Sequence, residues 1–183
     1  MGLLIILGVI VLLVLWVVGM YNGLIRLRNQ VKNAWSQIDV QLKRRHDLIP
    51  NLVDTAKGYM KHERETLEEI TKARNLAVKA NGVAEQGKAE GQLNEAISRF
   101  LLVVENYPDL KANQNFLALQ EELTTTENKV SFSRQFYNDQ VLKFNTKIES
   151  VPTNVIAGMF NFNQSEFFEI EAPTEREVPK VKF

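Results

Sequence analysis

The first charged side chain in this sequence is Arg26. Between Leu3 and Met20 the chain is an almost unbroken run of Leu, Ile and Val. As a helix rising 1.5 Å per residue, that run is roughly 27 Å long, close to the thickness of a bilayer's hydrocarbon core. Trp16 and Tyr21 stand near its end, where amphipathic aromatic rings favour the membrane interface. Leu3, Trp16, Met20 and Tyr21 therefore bound a membrane anchor over residues 1–23, with lipid as its partner. A cleaved signal peptide would want a basic start and a small-residue cleavage site. Met1-Gly2-Leu3-Leu4 and Gly19-Met20-Tyr21 supply neither. There is no cysteine for a lipoprotein anchor, and Leu3–Ile6 lacks the Ser or Thr of a myristoylation signal.

Arg26, Arg28 and Lys32 follow the anchor at once, with Lys43, Arg44 and Arg45 further on. The positive-inside rule then places the amino end outside and the remaining chain in the cytoplasm. The same basic surplus suits contact with anionic lipid, or serves as the topology signal alone. Over the whole chain Lys plus Arg and Asp plus Glu are each 22, so nothing advertises nucleic-acid binding.

Leu24, Leu27, Val31, Trp35, Ile38 and Leu42 recur at helical steps, which predicts a helix continuing from the anchor. Pro50 lacks an amide donor and crowds the preceding turn, so a kink or restart is expected there. Val53, Ala56, Met60, Leu67, Ile70 and Ala77 resume the stripe. Gly82 to Gly91 holds three glycines and reads as a loop between antiparallel helices. Leu93, Ile97, Phe100, Leu101 and Val104 mark a third helix, stopped at Tyr107-Pro108-Asp109.

The longest pattern comes next. Phe116, Leu123, Val130, Tyr137, Phe144 and Val151 fall every seven residues up to Pro152, the mark of a seam packed on partner helices. No stretch alternates with a period of two. The expected fold is all-α: an N-terminal transmembrane helix, then an antiparallel bundle of long helices over 24–152. An aromatic segment over 153–171 carries Phe160, Phe162, Phe167 and Phe168, for packing on the bundle or for meeting a partner or the membrane surface. Residues 172–183 mix Pro with both charge signs and read as a flexible charged tail.

Chemistry-bearing motifs are few. There is no phosphate-binding glycine loop, nucleophile elbow or cysteine nucleophile. His62-Glu63 begins like a zinc-protease motif, but Thr66 stands where its second histidine belongs. Pro50 separates His46 and Asp47 from that pair. The expectation is therefore no enzyme, no metal and no cofactor. Asp54, Glu63, Glu65, Glu68 and Glu69 read as a solvated face. Glu127, Arg134, Asn138 and Asn145 keep to one side of the long helix, either fixing its register or forming a wet outer face. Arg44 and Arg45 are candidate partners for Glu127.

Ordered motifs along nearly the whole chain resemble the LemA family. They include Arg28-Asn29-Gln30-Val31, Ala34-Trp35, Ile38 to Arg45, Asp47 to Val53, Tyr59, His62-Glu63 and Ala73-Arg74. Tyr107 to Asn113, Phe116, Leu119-Gln120, Leu123, Glu127-Asn128-Lys129, Arg134, Tyr137-Asn138, Asn145 and Phe167-Phe168 continue them. The resemblance implies a bacterial inner-membrane protein with one amino-terminal span, a long-helix bundle and no established enzymatic activity. LemA-like genes often neighbour those for membrane metalloproteases or other envelope proteins. The leading expectation is thus a membrane-anchored scaffold that forms homo-oligomers. The alternative is an adaptor presenting substrates or partners to a membrane protease through the Phe160–Phe168 segment.

Overall fold

A computed structural model of the protein describes residues 1–170. The expected charged tail over 172–183 lies outside the described residues. Six helices follow in order: α1 (Gly2–Lys57), α2 (Arg64–Lys79), α3 (Val83–Val104), α4 (Pro108–Lys111), α5 (Gln114–Glu149) and α6 (Thr153–Met159). No strand occurs among the described residues. The fold is the all-α arrangement that the helical periodicities predict, and among the described residues one helix, α1, is long and apolar enough to cross a membrane. None of the apolar window in α1 is covered by protein, as a lipid-facing segment requires.

The chain divides into two compact units. The first comprises Met1–Ile38 and Ser133–Phe167; the second comprises Asp39–Phe132 and, of the described residues after it, 168–170. In the first unit Leu24, Val31, Ala34 and Ile38 of α1 are buried, as are Tyr137, Val141 and Phe144 of α5 and Ile156 and Ala157 of α6. Trp35 meets Tyr137 edge-on at 5.4 Å between ring centroids. The second unit has its own core, which runs from Ile49, Leu52 and Ala56 through Ile70, Leu93 and Phe100 to Phe116 and Leu123.

Local chemistry sets the element ends. Asn113 starts α5, its Oδ1 accepting the amides of Asn115 and Phe116 at 2.9 and 3.1 Å. Pro108 opens α4 at a position where a missing amide costs nothing.

Of the two outcomes expected at Pro50, a kink or a restart, the restart does not occur: α1 runs through it to Lys57. In a regular helix the amide at position 50 would bond the carbonyl of His46. Arg74 Nε on α2 donates to that carbonyl instead, at 3.1 Å. Nor is Gly82 to Gly91 a loop. Only Ala80–Gly82 connects α2 to α3, with Gly82 at φ +83° as the helix cap, and Gly87 and Gly91 lie inside α3. At Gly87 the reason for glycine is close approach. A Cβ there would collide with the carbonyl of Glu169 and touch the Phe168 ring at 3.6 Å.

Candidate functional site

Two groups of side chains stand out, one in each unit. In the first unit the aromatic segment returns along α1 and α5. Phe160 packs on Tyr21 with centroids 4.7 Å apart, and Phe162 lies 5.8 Å from the same tyrosine. Phe162 also meets Phe144 at 6.4 Å and carries the Arg28 guanidinium over its face at 5.2 Å. The backbone beyond is held by two side chains of α5. Asn145 donates to the carbonyl of Ser165 and accepts its amide, both at 2.9 Å, and the Tyr137 hydroxyl donates to the carbonyl of Glu166 at 2.9 Å. Burial, then the nearby Glu166 charge, raises the Tyr137 phenol above its ordinary pKa.

The second unit encloses an ion network. Arg45 and Glu90 are 1% and 0% exposed, with Nη1 and Oε2 3.1 Å apart. Glu90 Oε1 meets His46 Nε2 at 2.7 Å and accepts from Gln86 Nε2 at 3.0 Å. Asn94 accepts from the other Arg45 amino group. Arg45 Nε has no hydrogen-bond partner among the described residues. Beside this network a cleft of about 300 Å³ is lined by Asp39, Lys43, His46, Asp47, Arg74 and Gln86. A wider groove of about 880 Å³ runs between the end of α1 and α2, with Met60, Leu67 and Leu76 among cations that include Lys61, Lys72 and Lys79. Among the described residues no three His, Cys, Asp or Glu side chains gather as a metal set would.

The structure distributes the residues singled out from the sequence as follows. Phe116, Leu123, Val130, Tyr137 and Phe144 are all buried within the chain, whereas Val151 lies past the end of α5 and is 82% exposed. The pairing of Arg44 or Arg45 with Glu127 is corrected. Arg44 pairs with Glu122, Arg45 with Glu90, and Glu127 faces solvent one position past buried Thr126. Asn145 holds the returning backbone, while Arg134 and Asn138 are half-buried. Of the four phenylalanines, Phe162 and Phe168 are buried and Phe160 and Phe167 are half exposed. Leu3 and Trp16 are exposed along the apolar span, and Met20 and Tyr21 are partly covered.

Glu90 and Asn94 do not stand out in the sequence, and the basic residue Arg28 stands out there for topology or lipid contact, not for its place over the Phe162 ring. One signal was available for the network: Leu24, Val31, Ile38, Arg45 and Leu52 fall every seven residues, which puts Arg45 at a core position of its helix.

Comparison with known proteins follows the same lines. The LemA family profile matches residues 34–183. Protein LemA of Metamycoplasma hominis is 30% identical over 167 residues, which cover 86% of this chain and 75% of that protein. Magnetosome protein MamQ 2 of Paramagnetospirillum magneticum is 23% identical over 175 residues, covering 81% of this chain and 64% of its own length. Magnetosome protein MamQ of Magnetospirillum gryphiswaldense is 21% identical over 174 residues, with the same two coverages of 81% and 64%. The chain thus spans just under two thirds of the MamQ proteins. With the family profile matched over most of its length, this chain belongs to the LemA family.

Proposed function

We propose that this protein is a membrane-anchored helical scaffold that self-associates through the outer face of α5. Its setting is the bacterial inner membrane, with the helical units on the cytoplasmic side, as the basic residues Arg26, Arg28 and Lys32 favour. Its work is binding and spacing, not catalysis.

The observation that carries this reading is Phe132, which is 73% exposed on α5, with Phe136 one helical turn on and 45% exposed. Large aromatic side chains in water are costly, and pairing across copies removes them from it. The seven-residue seam is not the contact surface, because the chain itself covers it from Phe116 to Phe144. A shared membrane raises the effective concentration of anchored copies, so a modest lateral contact suffices. The test is the native mass of the full-length protein in mild detergent. A discrete multiple of the 21.0 kDa chain supports the scaffold, and a monomer overturns it.

A second reading, an adaptor for a membrane protease, has support from the groove between α1 and α2. Its apolar floor and its Lys61, Lys72 and Lys79 rim suit an acidic amphipathic segment of a partner. Phe160 and Phe167 would contribute less than expected, since their neighbours Phe162 and Phe168 are buried. Reversing Lys72 and Lys79 to Glu separates the readings: partner capture is lost under the adaptor and the oligomer persists under the scaffold.

A further inference from the structure

From Ser150 to Ser165 the chain carries no charged side chain. Within this stretch α6 buries Thr153, Ile156 and Ala157 against its own unit. The opposite face is apolar and uncovered: Val155 is 60% exposed, Met159 69% and Phe160 50%. Val155 and Met159 stand one turn apart on that face. With Val151 before the helix also exposed, this uncharged segment holds four large apolar side chains in the open and calls for a partner.

The contacts with α1 fix where this face lies. Tyr21 and Arg28 are seven residues apart on α1, two turns or about 10 Å along the axis. Phe160 packs on Tyr21, while Phe162 reaches both Tyr21 and Arg28. The segment therefore runs away from the apolar span as it goes from 160 to 162, and Phe160 marks its end nearer the span. Tyr21 closes the apolar run and stands at the depth of the aromatic belt. Phe160 shares that depth. The headgroup layer beyond it is only about 5–8 Å thick, so Arg28 comes at its outer rim, within reach of lipid phosphates.

We propose that the exposed edge of α6, formed by Val155, Met159 and Phe160, lies in the interfacial layer of the bilayer, so that its partner is the lipid surface beside the protein's own span. This rests on the membrane-anchored reading given above. A second copy fits this face less well, because the contact of Phe160 with Tyr21 sets it at the depth of the interfacial layer, which lipid already fills. Its position next to the span makes it continuous with the surface that lipid already covers. The consequence is a second membrane contact, one that fixes how the first unit stands on the bilayer.

The chain has no cysteine, so single cysteines can be labelled cleanly. Full-length Met159→Cys and Val155→Cys, each carrying an environment-sensitive fluorophore, are reconstituted into vesicles of phosphatidylcholine and phosphatidylglycerol. Some of the lipid bears a nitroxide high on the acyl chain. Trp16→Cys reports the span, and Ser36→Cys, exposed on α1 of the same unit and about 22 Å along the helix beyond Tyr21, reports a surface away from it. The expected result is quenching at positions 159 and 155 as at 16, with little at 36. Quenching at 16 without quenching at 159 and 155 overturns the interfacial contact and leaves the anchor standing. Absence of quenching at 16 removes the anchor and the proposal together. A blue-shifted label at 159 that nitroxide lipid cannot quench means that protein covers the face, and this also overturns the proposal.

Discussion

Arg74 completes the helix that Pro50 would otherwise interrupt. Its Nε donates at 3.1 Å to the carbonyl of His46, the acceptor that loses its helical amide to the proline. The contact links α2 to the middle of α1 through main chain, and it turns a helix-breaking residue into a docking point. Removing Arg74 strands a carbonyl inside the unit, at a cost of about 1–3 kcal/mol. Restoring an amide at position 50 should remove most of that cost. Denaturation of Arg74→Ala, Pro50→Ala and the double variant forms a cycle. A loss from Arg74→Ala that is just as large in the Pro50→Ala background would refute the link.

The buried pair of Arg45 and Glu90 makes a second claim. Glu90→Gln leaves the Arg45 guanidinium without its counter-charge at a site 1% exposed, so stability should fall by about 3–5 kcal/mol. Arg45→Met combined with Glu90→Leu should recover only part of it, since the two apolar groups need no partner but His46, Gln86 and Asn94 each lose one. Urea denaturation followed by circular dichroism checks both. A single variant as stable as the parent would show that the pair is not sealed from water.

Gly87→Ala tests the docking of the chain after Phe168. The new methyl group meets the carbonyl of Glu169, so either that backbone moves off α3 or the helix shifts. The expected destabilisation is about 1–3 kcal/mol, with faster proteolysis after Phe168. Unchanged stability and unchanged proteolysis would contradict the close approach.

Alkali gives a prediction with a definite sign. Tyr137 and Tyr107 both titrate above the ordinary 10.0, each chiefly because burial disfavours the phenolate. The Tyr107 hydroxyl, on Glu63 Oε1 at 3.0 Å, is held up further by that carboxylate. Above pH 10.0 the unfolded chain releases protons that the native protein still holds, so stability is complete below that pH. It falls as pH rises through the two raised values. Melting temperatures between neutral pH and strong alkali should show the decline. The variant carrying Tyr107→Phe and Tyr137→Phe should show a shallower one, and an unchanged slope would contradict the assignment.

Much of this fold is legible in the sequence, and the failures share a cause. The charge-free run to Tyr21 and the seven-residue spacing from Phe116 to Phe144 are local regularities, and both correspond to helices. Val151 broke the pattern because α5 ends at Glu149, two residues before the repeat would place it. Gly87 misleads, and Pro50 leaves kink and restart undecided, because each is explained by a residue far along the chain, Glu169 and Arg74 respectively. Reading 82–91 as a loop also hid Glu90, the partner of Arg45, since a loop glutamate is ordinarily solvated. Propensity describes an element; it does not describe what approaches it.

The most direct test of the scaffold is the native mass of the full-length protein in lipid nanodiscs or mild detergent, beside Phe132→Asp and Phe136→Asp. Both side chains are substantially exposed, at 73% and 45%, so the fold should tolerate the change. The parent should form a discrete oligomer and the variants should shift to monomer, with helical content unchanged. A monomeric parent, or an oligomer indifferent to both substitutions, would contradict the scaffold.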